Sequence, residues 1–234
     1  MNVFLTGASR GIGAAAYRLL KSSGQTVLGH STAGNDQLIA GDLADPEAPR
    51  RMWDAALAKL GGRIDVLINN AGVYEAVADD AADAQWHAAW ARSMTINLQS
   101  AADLSKHAIA HFRELGIPGR IVNVASRAAF RGDSPSHWHY AASKAGMVAM
   151  TRTIARGYAA HDILCFAVAP GFTVSEMTEQ YLAGRGGAQV VAEIPLGRVA
   201  TTDEIAEIIR WLAVDAPASA TGSVIDANGA SYVR

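Results

Sequence analysis

Apolar runs of strand length alternate with helix-period stretches along the whole chain, a pattern that restricts it to a parallel sheet with helices on both faces. Each crossover helix returns the chain to the edge where the previous strand began, so successive strands run in one direction. The candidate strands are Asn2–Thr6, Thr26–His30, Gln37–Ala40, Val66–Asn69, Arg120–Ala125, Ile163–Val168 and Ser223–Asp226. They predict an α/β fold with one doubly wound, seven-stranded parallel sheet. At 234 residues the expectation is a single domain, residues 1–234, of the larger kind.

Helix boundaries carry their own signals. Asp45-Pro46-Glu47 predicts an N-cap followed by a proline in the first turn, with Met52, Trp53, Ala56, Leu57 and Leu60 on one face before Gly61-Gly62. Thr201 and Glu204 have capping-box spacing ahead of an apolar stripe of Ile205, Ile208, Ile209 and Leu212. The least regular stretches, Val73–Ala84 and Phe172–Ile194, lie just beyond strand C-termini, where open α/β sheets bind ligands.

Composition narrows the function classes. With 50% hydrophobic and 18% charged residues, disordered and fibrous architectures are excluded. Twenty basic residues against 22 acidic ones give a formal charge of -2, so neither nucleic acid nor an acidic membrane is an expected partner. A phosphate ligand must therefore be held locally. Cys165 stands alone, and no Cys/His set has zinc spacing, so neither a disulfide nor a metal is expected. The opening Met1-Asn2-Val3-Phe4-Leu5 is too short an apolar run for a signal peptide, and no ~20-residue apolar span follows. A cytoplasmic location is the expectation.

Thr6-Gly7-Ala8-Ser9-Arg10-Gly11-Ile12-Gly13 follows the first strand directly and opens a helix through Ala14–Ser23. Glycines there permit a tight turn and bring backbone N–H groups to a pyrophosphate at the positive helix end. Taken alone, the same turn is also compatible with a plain strand-to-helix connection.

Further motifs follow in order: Asp42-Leu43 after the third strand, Asn69-Asn70-Ala71-Gly72 after the fourth, Asn97, Ser126, Tyr140 with Lys144, and Pro170-Gly171 after the sixth. Together with the glycine turn they resemble the short-chain dehydrogenase/reductase family essentially end to end, which implies a Rossmann-type fold. The tail, Ile194-Pro195-Leu196-Gly197-Arg198, Thr221-Gly222 and Asp226-Ala227-Asn228-Gly229, is similar to 3-oxoacyl-carrier-protein reductase-like members. That resemblance implies a catalytic tetrad of Asn97, Ser126, Tyr140 and Lys144. It implies cofactor contacts at Gly7, Ser9, Arg10, Gly11, Ile12, Gly13, His30, Ser31, Thr32, Asp42, Leu43, Asn70, Ala71, Gly72, Tyr140, Lys144, Pro170, Gly171, Thr173 and Ser175. It also implies a homotetramer joined through the helices that hold Asn97 and Tyr140, with Ala141, Ala142, Ala145, Ala149 and Ala155 allowing close approach.

The residues bear their own reading. Tyr140 and Lys144 are four apart at the start of a predicted helix, hence on one face. At ~5 Å and an effective dielectric of ~20, Coulomb's law favours phenolate by ~3 kcal/mol and predicts a Tyr140 pKa near ~7.5. An isolated pair of this kind is more often a packed tyrosine with a snorkelling lysine. Ser126 ends the fifth strand, where its hydroxyl can steady a substrate oxygen or simply satisfy a turn. No Gly-x-Ser-x-Gly elbow surrounds it, which disfavours a hydrolase. Asn97 falls inside a long predicted helix, an awkward place for a side chain that prefers to bond backbone.

An acid ending the second strand would bond the adenosine ribose and repel a 2′-phosphate, but Gly29-His30-Ser31-Thr32 stands there. The resemblance implies that Arg10 in the glycine turn pairs with a 2′-phosphate, so NADPH is favoured over NADH. The family resemblance further implies that Tyr74, Phe130, His137, Trp138 and Phe172 line an aromatic substrate pocket with Ser126. Arg127 and Arg131 are placed to meet an anionic substrate or carrier, or simply to be solvated. The expected activity is hydride transfer between NADPH and a carbonyl or secondary alcohol, on a carrier-linked 3-oxoacyl chain or on a ketone, quinone or aromatic carbonyl. Its rivals are an NAD-dependent alcohol dehydrogenase of the same fold and a non-catalytic dinucleotide-binding sensor.

Overall fold

Strand alternation decides the layering: in β1 (Asn2–Leu5), Val3 and Leu5 point into one apolar layer and Phe4 into the other, all fully buried. The computed structural model describes residues 1–174 and 185–234. Its remaining strands are β2 (Thr26–Ser31), β3 (Leu38–Ala40), β4 (Val66–Asn69), β5 (Gly119–Val124), β6 (Ile163–Pro170) and β7 (Val224–Ala227). All neighbours pair in parallel, in the order β3-β2-β1-β4-β5-β6-β7. The seven expected strands are present, with ends displaced by no more than two residues.

One face of the sheet carries α1 (Gly11–Ser22) and α8 (Thr202–Arg210). The other carries α2 (Ala48–Lys59), α4 (Ser100–Leu115) and part of α6 (Trp138–Tyr158). Between them in sequence lie α3 (Asp83–Met94), the short α5 (Ala128–Arg131) and α7 (Arg185–Ala192). The capping box at Thr201 forms as its spacing implies, Glu204 N–H donating to Thr201 Oγ1 at 3.2 Å and Thr201 N–H to the Glu204 carboxylate at 2.8 Å. Cys165 is fully buried in β6, consistent with a small apolar role.

Two local expectations need correction. Asp45 does not cap α2; it closes a turn by accepting from Glu47 N–H at 2.9 Å, and the helix starts at Ala48 with Pro49 in its first turn. Pro49 is the first-turn proline because its missing N–H would have no helical partner there. Asn97 does not sit in an ordinary α-helix either. The chain widens into a π turn over Thr95–Gln99 between α3 and α4, and such turns free a side chain to aim inward.

The strand order reverses between β1 and β4, because the chain runs outward through β2 and β3 before returning. A crevice opens there beyond the strand C-termini. The glycine turn and the Asn69–Gly72 loop meet in it.

Candidate active site

Backbone geometry builds the floor of the crevice. Gly7 and Gly11 have φ of +68° and +54°, left-handed values that favour glycine. A β-carbon on Gly13 would lie 1.9 Å from Gly7 O, so α1 can start here only with glycine. Thr6 Oγ1 accepts from Asn70 and Ala71 N–H, each at 3.1 Å, while Asn70 Nδ2 donates to Thr6 O and Gly7 O at 3.0 Å. The α1 N-terminus has no side-chain cap and no acid in its first turn. Its N–H groups and positive end are thus left for an anion, the chemistry a dinucleotide pyrophosphate presents.

From this turn a cleft of about 1120 Å³ runs to Tyr140. Every expected cofactor-contact residue borders it except Ser175, which lies outside the described residues. His30 borders it as a structural clamp: it is 2% exposed, its Nδ1 accepts from Gly7 N–H at 3.3 Å and its Nε2 donates to Gly41 O at 2.8 Å. This tautomer is fixed by the two partners, and burial holds the imidazole pKa below its ordinary value. Asp42 accepts from Ala44 N–H at 2.9 Å and borders the cleft with the buried Leu43.

At the far end the four expected catalytic residues come together. Tyr140 and Ser126 both border the cleft, Ser126 acting on the phenol's acidity, and Ser126 Oγ accepts from Ala128 N–H at 3.1 Å. Lys144, 4% exposed, donates from Nζ to Val124 O at 2.8 Å, and Nζ lies 5.9 Å from the Tyr140 ring centre. Asn97 is fully buried: Oδ1 accepts from Val73 N–H at 2.7 Å, and Nδ2 donates to Val73 O at 3.0 Å and to Ser93 and Ser143 at 3.2 Å. Gly72 lets both approach, since a β-carbon there would be 3.1 Å from Asn97 Oδ1 and 3.5 Å from Lys144 Nζ.

The electrostatics reverse one expectation. Burial, which penalises either charged form, outweighs attraction between the pair. The Tyr140 phenol is pushed up to about 12, with the Ser126 hydrogen bond working against the rise, and Lys144 is pushed down to about 8. A neutral-pH phenolate is therefore not the resting state of the free protein.

The substrate wall also differs from expectation. Tyr74 and Phe172 border the cleft, but His137, Trp138 and Phe130 do not. His137 stacks behind Tyr74 with ring centres 3.9 Å apart, and Tyr74 meets Tyr140 edge-on at 4.8 Å. Trp138 is 52% exposed and packs on Trp86, whereas Phe130 stacks on Tyr232 of the C-terminal tail. Residues along one helical turn point in different directions, so only one of Trp138, His139 and Tyr140 can face the cleft. Sequence spacing also gave no sign of Tyr232 or Ser231 near the site; they arrive from the chain terminus, and no periodicity signals that contact.

The family model described as enoyl-(acyl carrier protein) reductase matches residues 7–229. Cis-4-hydroxycyclohexanecarboxylate dehydrogenase of Sinomonas cyclohexanicum is 35% identical, over 96% of this chain and 94% of its own. 3-Oxoacyl-(acyl-carrier-protein) reductase FabG of Vibrio cholerae is 32% identical, over 98% and 96%. A solved Agrobacterium tumefaciens structure described as a 2-deoxy-d-gluconate 3-dehydrogenase with bound NADP superimposes with a TM-score of 0.86 and 25% identity, covering 100% of this chain and 96% of that one.

Burial of Lys144 makes stability depend on pH. Its folded value of about 8 lies below the ordinary 10.5, so between these pH values the unfolded chain holds a proton that the folded chain has released. Stability from this group therefore rises with pH across that window, by up to about 3 kcal/mol. Tyr140 acts in the opposite sense between its ordinary 10.0 and about 12. Denaturant unfolding of wild type and Lys144→Met at pH 8 and pH 10 should show the rise in wild type only. Parallel curves would mean that Lys144 titrates normally.

Proposed function

Because the chain belongs to the short-chain dehydrogenase/reductase family, we propose that it is an NADPH-dependent oxidoreductase acting on a small-molecule carbonyl or secondary alcohol. The observation that carries this reading is that Ser126, Tyr140 and Lys144 border the same cleft as the glycine turn, with Lys144 Nζ 5.9 Å from the Tyr140 ring centre. Bound there, the nicotinamide would supply or take up the hydride. Gly7, Gly11, Ile12 and Gly13 would hold the pyrophosphate and Asp42 and Leu43 the adenine, with Thr173 and Pro170-Gly171, which border the same cleft, as further contacts.

The chain's own residues divide the remaining work. Ser126 and Tyr140 bond the substrate oxygen together, which fixes the carbonyl before transfer. In reduction Tyr140 gives that oxygen its proton, a role suited to a phenol that burial keeps protonated. Lys144 stands close enough to Tyr140 to stabilise the phenolate left behind, and Asn97 holds the Val73 backbone in place beside it. Oxidation uses the same groups in reverse.

For the cofactor, Arg10, Ser31 and Thr32 border one end of the cleft with no acid ending β2. A 2′-phosphate suits that end. The protein in this reading is a cytoplasmic homotetramer. Ala142 and Ala149 are exposed and Ala145 half-buried on α6, whereas Ala155 is buried in its own core and takes no part.

Three measurements test the proposal. Tyr140→Phe keeps the ring but removes the proton, so turnover with a ketone panel should fall about 10²–10⁴-fold while NADPH still binds; wild-type turnover would mean that the proton comes from elsewhere. Arg10→Ala should weaken NADPH about tenfold to several hundredfold and leave NADH nearly unchanged, whereas equal losses would remove Arg10 from phosphate recognition. Light scattering at micromolar concentration should give the mass of four chains, and a monomer would refute the assembly.

A further inference from the structure

Arg127 directly follows Ser126 and borders the cleft, yet is only 8% exposed. A buried guanidinium ordinarily lies against a carboxylate, because an unpaired buried charge is costly. Here no carboxylate among the described residues is within salt-bridge distance. The nearby acids are engaged elsewhere. Glu193 pairs with Arg131 at 3.4 Å, and Asp133 accepts from Tyr74 Oη at 3.0 Å and from Ser134 N–H at 2.7 Å.

What Arg127 does touch leaves most of its donors unused. One Nη donates to Ser231 Oγ, and Phe172 lies under the guanidinium at 4.8 Å from its ring centre. Among the described residues the other nitrogens have no acceptor, and none of them is a sealed, unpartnered polar atom. They therefore open on the cleft. Anchoring the C-terminal tail through Ser231 needs one donor, whereas a guanidinium offers five in a rigid fork matched to a carboxylate. Burial also presses the Arg127 pKa below its ordinary value, a penalty that a bound anion would offset.

We propose that Arg127 binds a carboxylate of the substrate, so that the enzyme works on oxo acids and hydroxy acids whose acid group lies within one arginine's reach of the reacting carbon. This rests on the carbonyl-reductase reading above. A single charge favours a monoanion. A phosphate dianion calls for a second cation, and the neighbouring Arg131 is already paired.

Two readouts separate the site from the activity. In calorimetry on the NADPH-loaded protein, cyclohexanecarboxylate should bind about tenfold to a hundredfold tighter than cyclohexanecarboxamide. In turnover, kcat/KM for 4-oxocyclohexanecarboxylate should exceed that for its amide by a similar factor, and in Arg127→Met both ratios should fall toward one. The wild-type ratios stand without the variant if it folds poorly. Wild-type ratios near one with either ketone turned over would overturn the anion site and leave the reductase reading intact. A tighter carboxylate without turnover of any ketone would do the reverse. Equal losses for acid and amide in the variant would make Arg127 only an anchor for the tail, and cyclohexyl phosphate binding tighter than the carboxylate would overturn the monoanion assignment.

Discussion

The site depends on the lock between the ends of β1 and β4. Thr6 and Asn70 exchange side-chain and backbone bonds across the two strands, and Gly7 passes so close to Ala71 that a β-carbon would stand 2.8 Å from its Cα. Adjacent strands on a parallel sheet cannot otherwise satisfy the polar groups that emerge at their ends. Once the lock is made, α1 must start at Gly11 and the Asn69–Gly72 loop must turn toward α6. His30 extends the same lock to β3 by holding Gly7 and Gly41 together. One polar junction thus sets the floor of the cleft and the distance from its glycine end to its tyrosine end.

Burial is the second constraint. Lys144 is buried against Val124 and Tyr140 packs on Tyr74, and in that low-dielectric setting the neutral form of each gains relative to water. A Coulomb estimate made for a half-solvated helix face misses this because it omits the cost of removing each charge from water. The π turn that carries Asn97 obeys the same rule: a buried amide needs every partner it can find, and four contacts are supplied. Below the site, Asn69 donates to Asn123 at 2.9 Å and Asn123 to Thr151 at 2.9 Å, a polar ladder inside an otherwise apolar layer. Asn97 is thus one of several amides that hold β4, β5, α4 and α6 in fixed register.

How far the chain could be read depended on the range of each signal. Strand positions, the capping box at Thr201 and the apolar face of α2 were legible because neighbours in sequence create them. Asp45 was misread because an Asx turn and an N-cap use the same residue types and differ only in which N–H is bonded. The family resemblance puts His137 and Trp138 in the pocket, but one packs behind Tyr74 and the other on Trp86.

By itself, the sequence determined the parallel α/β architecture, the glycine turn at the first strand and the order in which Asn97, Ser126, Tyr140 and Lys144 follow along the chain. These rest on periodicities of 2 and 3.6 residues and on conformations open only to glycine, all of which are local. Only the tertiary structure decided which aromatic rings face the cleft, which way burial moves the two titrating groups, and that Arg127 meets Ser231 from 104 residues away with no carboxylate of the described residues within salt-bridge distance. Those outcomes depend on what surrounds each side chain in space, and solvent exclusion is a property of the packed whole that no local spacing encodes.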